Sequence, residues 1–118
     1  MHNYKQLEIW KLSRNFSVPI YKLTATFPES EKFGLISQLR RACISVLSNI
    51  AEGSGRNSDK DFIKFLQYAV GSCREIDTQL LISCDLNFAT EQNIQRLTAE
   101  LKKVMGMISN FIQKLKET

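Results

Sequence analysis

The sequence predicts an all-α fold, an antiparallel up-down-up-down four-helix bundle. Three observations lead there. Apolar residues recur at spacings of three and four through most of the chain, and nothing alternates with the period of two that a half-buried strand requires. Only two prolines and five glycines interrupt 118 residues, which favours long uninterrupted elements. The connectors left between the periodic stretches are about three to six residues long, short enough to make consecutive helices antiparallel neighbours. With 43 % hydrophobic and 24 % charged residues, the chain has the balance of a globular protein, and its length suits one domain with one core, residues 1–118.

The first helix is expected over about Tyr4 to Thr26, with Trp10, Phe16, Ile20, Leu23 and Phe27 as its apolar stripe. Pro19 lies inside it and predicts a kink or a break, because proline lacks an N–H and crowds the preceding turn. Pro28, Glu29 and Glu31 then suit the first turn of a second helix, over about Ser30 to Glu52. Its stripe is Leu35, Leu39, Ala42, Cys43, Val46 and Ile50, widened by Ile36 and Leu47, as a helix packed on two neighbours requires. A third helix, about Asp59 to Leu86, carries Phe62, Leu66, Ala69, Cys73, Ile76, Leu80 and Cys84. The fourth begins after Thr90 and presents Ile94, Leu97, Leu101, Val104/Met105, Ile108, Phe111/Ile112 and Leu115, with Lys114 and Lys116 near the end that favours positive charge. At about 1.5 Å per residue the second and third helices span roughly 33 and 42 Å, and such length in a short chain exposes much lateral surface. Self-association is the natural expectation.

Several function classes are disfavoured. No apolar run approaches the roughly 18–20 residues that cross a membrane, and the N-terminus lacks the apolar segment of a signal peptide. Cys43, Cys73 and Cys84 are odd in number, widely spaced and set among apolar neighbours, which reads as reduced core residues in a cytoplasmic protein. The single histidine, His2, anchors neither a catalytic triad nor a metal site, and the acidic residues fall mostly at helix starts, where capping accounts for them. No catalytic residue, metal or cofactor is assigned.

The segment "NIAEGSGR" (residues 49–56) has the composition of a phosphate-cradling loop. A P-loop, however, needs a lysine and a hydroxyl residue after its last glycine, between a strand and a helix, and here Arg56, Asn57 and Ser58 follow a helix. The segment reads instead as a hairpin corner. Gly53 or Gly55 supplies a left-handed helix end, and Ser58 caps the next helix with Asp61 as its capping-box partner. Glu52 faces the negative end of its helix dipole and needs a cation, for which Arg56 is nearest.

Two lines of small polar residues accompany the corner. The second helix carries Ser37, Arg41, Ser45, Ser48, Asn49 and Glu52 on one side; the third carries Tyr68, Ser72, Glu75, Gln79 and Ser83. A solvated face usually holds more Lys and Glu. Serines at helical spacing point to close helix or subunit approach through hydrogen bonds. A hairpin about the corner brings Glu75 toward Arg40 and Arg41, where an ion pair is expected.

The segments "YKQLEIWKLS", "IYKLTATFPESEKFGLISQLRRACISVLSNIAEGSGR" and "DFIKFLQYAVGSCREIDTQLLIS" together resemble the bacterial four-helix-bundle proteins first noted as products of intervening sequences in large-subunit ribosomal RNA genes. The likeness runs from Tyr4 to about Leu86 by motif and onward by helical pattern. It implies a bundle that assembles as a ring-like homopentamer, with no enzymatic activity. The family is also similar to the accessory protein of diversity-generating retroelements, a pentamer that works with a reverse transcriptase and binds nucleic acid. Arg40, Arg41, Asn49, Glu52, Gly53, Arg56, Gly71, Ser72 and Glu75 occupy signature positions, to which the family assigns no proven site. Pro19 and Cys73 depart from the usual pattern without threatening the fold.

The functional expectation is therefore a non-enzymatic homo-oligomeric interaction module, with a nucleic-acid-binding accessory protein as the alternative. Candidate contacts to RNA, DNA or another protein are Arg40, Arg41, Arg56, Lys60, Lys64 and Arg74; Asn49, Glu52, Ser72 and Glu75 form a candidate structural polar cluster. The net charge of +4 is a modest footprint for nucleic acid, but a ring of five copies would carry +20.

Overall fold

Four helices hold about three quarters of the chain in the computed structural model, which describes residues 2–118: α1 Glu8–Thr24, α2 Ser37–Ser54, α3 Asp59–Asp85 and α4 Glu91–Lys116. No strand occurs among the described residues. Each helix turns its apolar stripe inward, and the buried side chains form one cluster running from Ile9 to Leu115. Leu39, Ile50, Leu66, Ile76, Leu80 and Ile108 have no exposed surface at all. The molecule is long and narrow, 46 × 24 × 20 Å, as a bundle of long helices must be.

Side-chain pairings set the sense of each helix. Arg40 at the start of α2 reaches Thr24 and Tyr21 at the end of α1. Along α2 and α3, Gln38 pairs with Gln79 and Ser45 with Ser72, so one sequence rises as the other falls. Phe62 near the start of α3 packs on Phe111 near the end of α4, with ring centroids 5.5 Å apart. Consecutive helices therefore run antiparallel.

Local chemistry explains most boundaries. Ser58 Oγ accepts the Asp61 N–H at 3.1 Å and Thr90 Oγ1 accepts the Asn93 N–H at 3.2 Å, satisfying donors that a helix start leaves free. The expected caps thus form, although the reciprocal bond from the Asp61 side chain does not. Buried hydroxyls bond their own helix: Ser13 donates to the Ile9 carbonyl, Thr24 to Ile20 and Ser83 to Gln79.

Three expectations are corrected. First, α1 continues through Pro19 without a break, from Glu8 to Thr24. Packing of the buried Phe16 and Ile20 on either side holds the helix while Pro19 itself sits at the α1–α4 edge beside Glu100 and Lys103. Second, α2 begins at Ser37 rather than near Ser30. Residues 29–31 form a 3-10 turn, and 32–36 a single wide turn in which Gly34 leaves helical geometry (φ −104°, ψ −117°). The Glu31 carboxylate accepts the Leu35 N–H at 3.1 Å, and the detour turns Phe33 out with 87 % of its surface exposed. Third, neither corner glycine is left-handed; Gly55 has φ −88°. The left-handed helix end is Asn87 (φ 62°), after α3. There the Asn87 N–H donates to the Cys84 carbonyl and the Phe88 N–H to that of Ser83, both at 2.9 Å, which is a Schellman ending with asparagine in place of glycine.

Candidate interaction surface on the second and third helices

The hairpin corner is closed by contact. Gly53 is buried, and a Cβ on it would stand 2.8 Å from both Phe62 Cδ1 and Phe65 Cβ. The glycine is there to let α2 and α3 approach. Just beyond, Arg56 Nη2 donates to Glu52 Oε1 at 2.7 Å, and its guanidinium lies over the Phe65 ring at 4.6 Å. The expected Glu52–Arg56 pair is present. Both side chains remain about half exposed, so the pair contributes at most about 1 kcal/mol. It does, however, give Arg56 two partners within its own chain.

From this corner α2 and α3 run side by side. Ser45 Oγ and Ser72 Oγ share a hydrogen bond of 2.9 Å, and Asn49 Nδ2 donates to the Ser45 carbonyl at 2.9 Å and to its hydroxyl at 3.2 Å. Small side chains let two backbones approach, and their hydroxyls pair across the gap. Beside this pair lies a groove of about 270 Å³ lined by Gln38, Arg41, Ala42, Ser45, Ser72, Glu75 and Gln79. Gln79 Oε1 is buried there without a hydrogen-bond partner, while its amide nitrogen reaches Gln38 Oε1 only at 3.5 Å.

The expected ion pair between Glu75 and Arg40 or Arg41 does not form; the ion pairs among the described residues are Lys11–Glu8 and Arg56–Glu52. Arg40 turns the other way, to α1. Its Nε donates to Thr24 Oγ1 at 2.8 Å and its Nη2 to the Tyr21 carbonyl at 3.2 Å, with the guanidinium 4.6 Å from the Tyr21 ring centroid. One residue on, about 100° around the helix, Arg41 lies exposed on the groove with neither an ion pair nor a side-chain hydrogen bond. Adjacent arginines therefore have different work.

The two candidate sets are divided accordingly. Asn49 and Ser72 belong to one hydrogen-bonded cluster centred on Ser45; Glu52 belongs to the corner with Arg56, and Glu75 stands alone on the groove. Among the cations, Arg40 and Arg56 are engaged within the chain, whereas Arg41, Lys60, Lys64 and Arg74 are exposed and form no ion pair among the described residues. Gln38, Thr24 and Tyr21 complete this region and were not singled out by sequence. Thr24 and Tyr21 sit in the first helix, and only the packed fold brings them to Arg40.

Burial pushes the Cys43 and Cys73 thiols up to about 12, each from an ordinary value of 9.0. Both are neutral core groups at physiological pH, and all three cysteines are free. Among the described residues no group of three or more metal-ligating side chains gathers, and no helix is long and apolar enough to cross a membrane.

Fold and surface define a small all-α bundle with a polar groove on one flank and no assembled catalytic constellation on that surface. A model of the 23S rRNA-intervening sequence protein family matches residues 5–110, and the chain belongs to that family. Its fold is similar to the crystal structure of a protein of unknown function from the S23 ribosomal protein family of Bacteroides thetaiotaomicron. The TM-score is 0.78 at 22 % identity, over 88 % of this chain and 97 % of that one. No curated protein matches.

Proposed function

We propose that this chain is a non-enzymatic helical-bundle module that works as a homo-oligomer, in the ring of five that its sequence resemblance implies. The observation that carries the reading is apolar surface left open on long helices: Ile44 on α2, on the side of Tyr21, is 47 % exposed and Tyr68 on α3 49 %. Burying such side chains against another copy contributes about 25 cal/mol per Å². Light scattering at micromolar concentration is expected to return several times the chain mass of 13.6 kDa. A monomeric mass would overturn the reading.

A nucleic-acid-binding accessory role is the second reading. Lys60, Lys64 and Arg74 favour it, because they project unpaired from the outer side of α3 and would repeat around a ring. Engagement of Arg40 and Arg56 within the chain weakens it. Backbone binding predicts an affinity that falls steeply with salt and drops when Lys60 and Lys64 become alanine. Absence of binding to RNA and DNA at ~50 mM salt would remove this reading.

A further inference from the structure

We infer that the outer face of α1 binds single-stranded nucleic acid, with one base seated at Trp10 and the neighbouring phosphates on Lys5, Lys11 and Arg14. The inference rests on the nucleic-acid reading and moves its site from α3 to α1. Charge decides between the two helices. Lys60, Lys64 and Arg74 share α3 with five carboxylates between Asp59 and Asp85, so that helix is acidic as a whole. Residues 2–27 hold four lysines and arginines and a single acid, Glu8. A polyanion is drawn to the second of these surfaces and repelled by the first.

Lys5, Trp10, Lys11, Arg14 and Asn15 line one open cleft of about 670 Å³, within the range of about 300–1,000 Å³ that small-ligand sites occupy. Aromatic surface accompanies the cations. Tyr4 meets Trp10 edge to face with ring centroids 5.4 Å apart, and the Arg14 guanidinium lies 5.5 Å from the Trp10 centroid. Lys5 and Arg14 are exposed and form no ion pair among the described residues, while Lys11 reaches Glu8 only at 3.7 Å. A guanidinium over an exposed ring is held weakly. A base can therefore take the face of Trp10 while Arg14 turns to a phosphate, which exchanges one cation–π contact for a stack and a charge-assisted hydrogen bond. A duplex keeps its bases stacked within itself, so a single strand is the form that can use Trp10. Asn15 also lines the adjoining α1–α4 cleft, where Lys103 stands with Glu100. Open surface thus continues past one nucleotide to a further cation, which suits a strand better than a free mononucleotide.

Trp10 is the single tryptophan of the chain, so its fluorescence reports on this cleft alone. A short oligouridylate at ~50 mM salt is expected to bind and to quench Trp10, whereas inorganic polyphosphate and an RNA duplex of the same length leave its emission nearly unchanged. Lys5→Ala and Arg14→Ala are each expected to weaken oligouridylate binding by about tenfold, and the double change Lys60→Ala, Lys64→Ala to leave it as in the wild type. Lys5 and Arg14 are exposed, and an unchanged helical circular dichroism spectrum checks that both variants fold. If the strand binds without quenching Trp10, or if binding follows Lys60 and Lys64 rather than Lys5 and Arg14, the proposal fails while the nucleic-acid reading stands on another surface. Equal quenching by polyphosphate or by the duplex would also overturn it, because the base would then play no part. Absence of binding to RNA and DNA would defeat both.

Discussion

The seam between α1 and α2 and the groove between α2 and α3 begin from neighbouring residues and end differently. At the seam, Arg40 finds a buried hydroxyl, a carbonyl at a helix end and an aromatic face. At the groove, Arg41 and Glu75 lie exposed with no ion pair among the described residues, and Gln79 Oε1 is buried without a hydrogen-bond partner. The same contrast separates two glycines. Gly53 lies sealed between Phe62 and Phe65, whereas a Cβ on Gly71 would meet no atom within 4 Å. A helix interior holding glycine over open space lacks a reason within its own chain. The seam is closed by contacts within the chain, and the groove flank is open.

The contrast can be broken most directly at Gly53. Gly53→Ala forces a methyl against the Phe65 Cβ, which is fixed to the backbone, and should destabilise the chain by about 1–3 kcal/mol in urea unfolding. An unchanged midpoint would mean that the corner opens freely. Next, Arg40→Ala should cost about 1–2 kcal/mol through its lost bonds to Thr24 and Tyr21, while Arg41→Ala should stay within about 0.5 kcal/mol, compared at one fixed protein concentration. Equal losses would erase the distinction between the two arginines. The smallest effect has the opposite sign. Gly71→Ala should raise folding stability by about 0.5–1 kcal/mol, because alanine restricts the unfolded chain and here meets no obstacle. A lowered midpoint would indicate that the outer side of α3 is covered in solution.

Where short-range chemistry decides, the sequence was legible. The apolar stripes of α2, α3 and α4 are buried nearly residue for residue, Ser58 and Thr90 cap as their types suggest, and Glu52 meets Arg56 one turn away. Helix ends governed by side-chain competition were harder. Glycine at 53 and 55 resembled a left-handed ending, but the contact with two phenylalanines explains Gly53, and Asn87 takes the left-handed position. The late start of α2 turns on the Glu31 carboxylate bonding to Leu35 across Gly34, which periodicity does not register. Pro19 does not end α1, which runs on from Glu8 to Thr24.

Within the candidate site, the sequence foresaw the Glu52–Arg56 pair but gave Arg40 the wrong partner. A charge pattern states which groups share a face; it does not state which way a long flexible side chain turns. Arg40 and Arg41 differ by one position, and nothing local distinguishes the one that reaches Thr24 from the one that stays in water.

Four amphipathic periods, few breakers and short connectors were enough by themselves to determine an all-α bundle and its core, because helix formation and burial of a stripe depend on residues three and four apart. Only the packed structure decided that Arg40 closes the α1–α2 seam, that Gly53 is a contact point and that Arg41, Glu75 and Gln79 remain unpaired on a groove. Those outcomes depend on distances between residues 9 to 41 positions apart, from Gly53–Phe62 to Gln38–Gln79, and such distances are fixed only when the helices pack.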